Sequence, residues 1–313
     1  MKQGNPQQQQ ENMLFSLVTA ALKGISQVIL IENAISGLLI LIALLISSIP
    51  VGIIAFLSAL IAVCMGRFGG ADKTLVNQGL LAYNSVLTGI VLALNFTGGQ
   101  RWVIALAGAA ITTLLTAAMM HWMRNSGTPI FTFPFIIVSW FLLLASYRLG
   151  TFQLHPGLVP QDLSQWKLHQ GGTIDWINGL VDGVGQVFLQ DSIWSGILIL
   201  AGVFWASRKL GFYAVIGSAA AWLAAYGLGG ETALLNAGLY EYNAVLTILA
   251  VGAIFDAKSR WAPVSGLAAA IVSVPMTASF DSWLLPYGLP ALTMPFVVCS
   301  WVFIAARKVI PKL

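Results

Sequence analysis

Apolar residues run through this 313-residue chain in long stretches separated by short polar breaks, and the stretches fall into two series. The first series predicts membrane spans over 33–48, 51–66, 79–96, 102–123 and 130–147, and the second over 192–207, 212–228, 238–255, 261–279 and 291–306. Several are shorter than the roughly 20 residues a straight helix needs to cross a bilayer, which predicts tilted or broken helices packed against protein. Ahead of each series lies a run too polar and too short to span, 13–31 and the stretch ending near Gln186, and each reads as a re-entrant half-helix. The Gln-rich residues 1–12 predict a disordered cytoplasmic tail. Residues 149–172, with their prolines, histidines and paired glycines, predict an extracytoplasmic linker, and 309–313 a second cytoplasmic tail. The expected fold is an all-α polytopic membrane protein of ten transmembrane helices and two re-entrant half-helices, divided into a first repeat at 13–148 and a second, inverted repeat at 173–308.

The duplication is visible residue by residue. Asn77-Gln-Gly-Leu-Leu-Ala-Tyr-Asn84 returns 159 positions later as Asn236-Ala-Gly-Leu-Tyr-Glu-Tyr-Asn243, and a repeat at half the chain length marks one structural unit present twice. Ser26-Gln27-Val28 returns as Gly185-Gln186-Val187. Phe131-Thr-Phe-Pro-Phe135 returns as Leu292-Thr-Met-Pro-Phe296 with an offset of 161. An odd number of spans per repeat turns the second unit upside down. The basic residues agree, since these boundaries place twelve of the fifteen lysines and arginines on one face, which should be cytoplasmic.

Composition narrows the class further. Hydrophobic residues make up 58% of the chain, charged ones 8%, and the mean hydropathy is +0.84, values of a membrane protein and not of a soluble one. The net charge of +4 forms no basic face, which excludes nucleic acid as a partner. Cys64 and Cys299 lie singly inside apolar stretches and predict neither a disulfide nor a metal site. Phosphate-loop, nucleophile-elbow and zinc-protease motifs do not occur, so no catalytic residue, metal or cofactor is expected and an enzyme is disfavoured.

What remains is a path for a neutral polar solute. Half-helices that end within the membrane leave last-turn carbonyls without intrahelical partners, and these must face protein, water or a solute. Gln27 and Gln186 fall at these ends, where they either cap the helices or line a pore; recurrence in both halves favours the pore. Thr132 and Thr293 each stand two residues before a proline, where regular helix fails and a hydroxyl can serve a solute in place of its own helix. Glu32 and Asp191 predict helix caps. Glu241, paired with Ala82, is a lone carboxylate near the start of its span, either an ion or proton site or an interfacial group.

These residues resemble the urea transporter family, and the chain looks like a bacterial member of it. Leu289-Pro-Ala-Leu-Thr-Met-Pro-Phe296 matches that family's Leu-Pro-x-x-Thr-x-Pro-Phe signature, and the Tyr-Asn-x-x-Leu steps at Tyr83 to Leu87 and Tyr242 to Leu246 match as well. The first-half signature departs in carrying Thr128-Pro129. The resemblance implies a homotrimer in a bacterial inner membrane, each protomer with its own passive urea pore. It implies oxygen ladders at Gln27, Val28 and Leu30 and at Gln186, Val187 and Leu189. It places a constriction at Thr132, Thr293, Leu87 and Leu246, with Tyr83 and Tyr242 as walls of flat slots on either side. Leu30 and Leu189 stand where other members often carry phenylalanine. The alternatives are a channel for another small amide or for ammonia, and a proton-coupled carrier using Glu241.

Overall fold

The computed structural model describes residues 6–255, 257–311 and 313, with side chains from residue 13 onward. Among the described residues the chain forms fourteen α-helices: α1 (Pro6–Gln27), α2 (Ala34–Ser47), α3 (Ile49–Phe68), α4 (Lys73–Asn77), α5 (Tyr83–Asn95), α6 (Arg101–Met123), α7 (Phe133–Ala145), α8 (Trp176–Gly185), α9 (Ile193–Ala206), α10 (Arg208–Gly227), α11 (Thr232–Asn236), α12 (Glu241–Leu249), α13 (Ala262–Leu284) and α14 (Met294–Val309). The duplication is carried into the elements. Helices α2 and α9 are both 14 residues long, α3 and α10 both 20, α4 and α11 both 5, and α6 and α13 both 23. After α12 the backbone continues as a π turn over Ala250–Ile254, a widening the first half lacks.

Residues 1–5 of the expected tail lie outside the described residues. From Pro6 the chain is already helical, so 6–12 belong to α1 and not to a disordered tail. Among the described residues four helices are long and apolar enough to cross a membrane, Ile49–Phe68, Arg101–Met123, Arg208–Gly227 and Ala262–Tyr287, or five if the pair Trp176–Phe188 and Ile193–Ala206, bent by 72°, is taken as one. This is an all-helical integral membrane protein. Ten expected spans meet four long helices because the other apolar stretches are helical for only 9 to 16 residues. The stretch 130–147, for instance, becomes helical only at Phe133, with Pro134 in its first turn.

Helices α2 and α9 pair across the two halves. Ser36 Oγ donates to the Gly202 carbonyl at 2.7 Å and Ser195 Oγ to the Ala43 carbonyl at 3.0 Å, so each helix supplies one hydroxyl to the other's backbone. A second crossing ties each late helix to the opposite half: Trp140 Nε1 donates to the Pro290 carbonyl at 2.9 Å and Trp301 Nε1 to the Pro129 carbonyl at 2.7 Å. The expected caps differ from the observed ones. Asn33 caps α2 by accepting from Ile35 and Ser36, while Glu32 instead pairs with Lys23 at 2.8 Å. Ser192 takes the N-cap of α9, so Asp191 is not the cap.

The linker is not a bare aqueous loop. Phe96 and Leu154 form an antiparallel bridge, and a short 3-10 turn at Leu163–Gln165 begins at Asp162. The Ser164 hydroxyl and then its backbone N–H hold the Asp162 carboxyl below the usual range. Gln161 donates its backbone N–H to the Leu285 carbonyl at 3.1 Å, and Thr232 donates to the His169 carbonyl at 3.3 Å. The segment between these ties is a strap laid from the end of α13 to the start of α11.

Candidate functional site

The site is assembled from places where helices stop. Helix α1 ends at Gln27 and α8 at Gly185, and after each the chain turns through a leucine in left-handed conformation, Leu30 at φ 62° and Leu189 at φ 56°. Phe131 at φ 48° and Leu292 at φ 52° make equivalent turns just ahead of α7 and α14. These four are the only non-glycine residues with positive φ among the described residues, and they form two pairs related by the duplication. Left-handed backbone is unfavourable for a residue with a Cβ, so the surroundings must hold it.

They do so with matched sets of hydrogen bonds. Tyr83 Oη donates to the Phe131 carbonyl at 2.8 Å, and Tyr242 Oη to the Leu292 carbonyl at 2.6 Å. Asn84 Nδ2 reaches the same Phe131 carbonyl and Asn243 Nδ2 the same Leu292 carbonyl, both at 3.3 Å. The two Asn Oδ1 atoms accept from the backbone N–H groups of Phe135 and Phe296, at 3.4 and 3.1 Å. Asn84 and Asn243 therefore hold the broken backbone on both sides of Thr132 and Thr293.

Between the two breaks the halves touch. Thr132 Oγ1 and Thr293 Oγ1 lie 2.6 Å apart in a hydrogen bond. Two hydroxyls joined this way use one of their two hydrogens on each other, so one donor and several lone pairs remain for a solute. Leu87 and Leu246, one turn into α5 and α12, are buried close by in the same core.

Cavities lie on either side of this contact. The first, about 420 Å3, is lined by Gln27, Leu30, Leu80, Tyr83, Phe131 and Arg124, among others. On the other side a cavity of about 100 Å3 is lined by Gln186, Val187, Leu189, Leu239, Tyr242 and Thr293, with Leu87 reaching it from α5. It shares Leu239, Tyr242 and Pro290 with a wider one of about 350 Å3 under the strap. Of the twelve expected residues, nine thus line a cavity, while Thr132, Leu246 and Val28 are buried in the core, Thr132 directly against Thr293.

The half-helix ends are less alike than the duplication suggests. Gln27 Nε2 donates to the Gln78 carbonyl at 3.2 Å and Gln186 Nε2 to the Ala237 carbonyl at 3.0 Å, while neither amide oxygen has a hydrogen-bond partner among the described residues. In the second half Gln190 Nε2 also donates to the Phe188 and Leu189 carbonyls, at 2.8 and 3.0 Å. Ile31 stands at the paired position and cannot do this. The Leu189 carbonyl keeps one lone pair of two for a solute.

Glu241 is neither interfacial nor part of this lining. It is fully buried against α8, where a methyl group added to Gly183 would strike its Cβ, and Oε2 accepts from the Tyr240 backbone N–H at 3.1 Å. Sequence reading missed Phe131, Leu80 and Leu239, which line the cavities, and the strap residues Leu163, Trp166 and Leu168. The signal for the first three was their place inside the repeated motifs; the strap residues belong to no repeated motif.

Duplicated sets of broken helices, with cavities on either side of a threonine contact, stand inside a helical membrane protein. The comparisons with known proteins say which kind. The profile of the urea transporter family matches residues 18–308, and the chain belongs to that family, one of transporters and not of enzymes. It is similar to urea transporter 1 of Ovis aries, 27% identical over 305 residues, and to urea transporter 1 of Rattus norvegicus, 26% identical over 297 residues. Each comparison covers 93% of this chain and 77% of the relative.

Proposed function

We propose that this chain is a passive, selective urea channel whose path runs from the Gln27 and Tyr83 cavity past the Thr132 and Thr293 pair to the Gln186 and Tyr242 cavity. The observation that carries this reading is the matched geometry of the two halves: each brings a half-helix end and an anchored tyrosine to a cavity beside one shared threonine contact. A planar amide suits it. Tyr83 faces it with Leu30 on the opposite side, Tyr242 with Leu189, and the solute's N–H groups point edgewise at Gln27, Val28 and Leu30 oxygens and then at those of Gln186, Val187 and Leu189. Leu87 and Leu246 exclude water around the threonines, whose remaining donor meets the solute carbonyl.

The family resemblance and the charge asymmetry support ten transmembrane passes in two inverted repeats, 13–148 and 173–308, with both termini cytoplasmic in a bacterial inner membrane. The same resemblance supports a homotrimer. Glu241 packs against α8 and away from both cavities, which favours conduction without a coupling proton over a carrier.

Stopped-flow light scattering of proteoliposomes under a urea gradient tests the reading. Protein-dependent urea flux that is indifferent to an imposed pH gradient is expected; its absence sinks the proposal, and larger fluxes for formamide or ammonia would reassign the solute. The Thr132→Val, Thr293→Val double variant keeps side-chain volume and removes both hydroxyls, so urea flux should fall roughly tenfold or more, the effect of an unmatched solute hydrogen bond.

A further inference from the structure

Charge is where the two ends of the path differ most, and the difference falls on positions that the duplication pairs. The cavity under the strap is lined by Glu231, Asp281, Tyr240, Tyr242 and Trp166, and among its described lining residues there is no lysine, arginine or histidine. The first cavity has Arg124 on its wall, and Met120 at the position paired with Asp281. One end is acidic and aromatic, the other carries a guanidinium.

Glu231 is oddly placed for a structural carboxylate. It stands at the N-cap of α11, where an acidic side chain ordinarily accepts from the free N–H groups of the first turn. Its counterpart Asp72 does so at α4, accepting from Thr74 at 2.7 Å and Leu75 at 3.3 Å. Glu231 makes no capping bond. Its backbone N–H goes to Tyr240 Oη at 3.3 Å, and the side chain lines the cavity with 9% of the residue exposed. Among the described residues its carboxylate has neither a hydrogen-bond nor an ion-pair partner. A carboxylate this buried is costly without a partner, and Asp281 on the same wall adds a second negative charge. Glu231 needs a cation or several N–H donors, and Asp281, which takes one backbone N–H from Ala291, has acceptor capacity left. The rings of Trp166, Tyr240 and Tyr242 offer faces that attract cations.

We propose that the cavity under the strap is a binding site for a small planar organic cation of the guanidinium or amidinium class, held by Glu231 and Asp281 with its face on the aromatic wall. Such a cation presents N–H forks in one plane, the geometry a carboxylate accepts in pairs. It also has the trigonal shape of urea, so it fits where the path narrows toward Tyr242 and Leu189. Its charge stops it at the apolar constriction. It therefore occupies the outer end of the path without passing.

Binding depends only on this cavity; competition with urea rests in addition on the proposed channel. Equilibrium dialysis of the purified full-length protein with radiolabelled guanidinium reads binding directly. Saturable binding is expected, displaced by unlabelled guanidinium or acetamidinium at concentrations where methylammonium and sodium leave it bound. Glu231→Gln and Asp281→Asn should each weaken it roughly tenfold or more, the loss of one charge-assisted bond. Equal displacement by methylammonium overturns the proposal in the unaltered protein, and so does full affinity in the folded double variant. External guanidinium should also slow urea flux from that side. A protein that binds guanidinium but passes no urea would end the channel reading and leave this one standing.

Discussion

Phe131 and Leu292 are bulky residues in a backbone conformation that ordinarily costs on the order of 1 to 3 kcal/mol, and each sits directly before a threonine of the proposed constriction. The side chains that hold them are therefore part of the site although they touch no solute. Asn243 is the clearer of the two asparagines, since its amide nitrogen reaches the Leu292 carbonyl and its oxygen accepts from Phe296 at 3.1 Å. Asn243→Ala removes both and leaves a buried N–H unpaired, which should destabilise the protein by about 1 to 3 kcal/mol and lower urea flux. Thermal unfolding in detergent and the flux assay check this; unaltered stability would mean that Pro295 and the Tyr242 bond fix the turn without the amide. The tyrosines and threonines were legible in the sequence because they recur at a fixed offset. The left-handed turns were not, because nothing about Phe131 or Leu30 as residue types signals positive φ. The role of Asn84 was equally hidden, since its amide spends both its nitrogen and its oxygen on the backbone of Phe131 and Phe135.

At the scale of elements the duplication requires close approach of backbones. Helix α1 lies on the turn before α5, and α8 on the turn before α12, so closely that a methyl group added at Gly79 or Gly238 would run into the backbone nitrogen of Gly24 or Gly183. Both glycines also hold positive φ, 73° and 68°. Gly79→Ala and Gly238→Ala should each cost well over the roughly 1 to 2 kcal/mol of left-handed backbone alone. Loss of the monodisperse peak in size-exclusion chromatography is the expected result, while Gly99→Ala, which meets nothing within 4 Å, should elute normally. If the first two variants elute normally as well, the half-helices are not seated as described. These glycines belong to the repeated motif and were visible as conserved between the halves of one chain. Their reason was not, since it depends on a helix fifty residues away in sequence. The lengths of the elements were legible in part: short apolar stretches predicted broken helices, and helices broken at Phe133 and Met294 are found. The N-caps were misread because an acidic residue next to Asn33 can satisfy itself on Lys23 instead.

For the whole molecule, near-symmetry sets the proposed path and the departures from symmetry set its proposed ends. The offsets of 159 and 161 pair the residues whose hydrogen bonds surround the threonine contact, but a linker without periodicity offers no such signal. Its residues still form a wall of the cavity next to Tyr242, with Leu163, Trp166 and Leu168 bridging between the ties at Leu285 and Thr232. Two locations for the selective step then compete, the strap at the end of the path and the threonine pair at its centre. Burial favours the threonine pair. Strap side chains are half exposed, Trp166 by 42% and Leu168 by 59%, so they touch a solute that is still hydrated. Thr293 is 3% exposed and Thr132 1%, so a solute there has lost its water and depends on the protein for every hydrogen bond. Discrimination between amides arises where unmatched groups are costly, which is where water is absent. Trp166→Ala with Leu168→Ala should widen the end of the path and leave the ratio of urea to methylurea flux within about twofold of its original value, a free-energy change of only a few tenths of a kcal/mol. Thr132→Val with Thr293→Val should change that ratio well beyond twofold. Parallel stopped-flow measurements with both solutes decide it: a ratio that follows the strap variant and ignores the threonines would move the selective step to the linker.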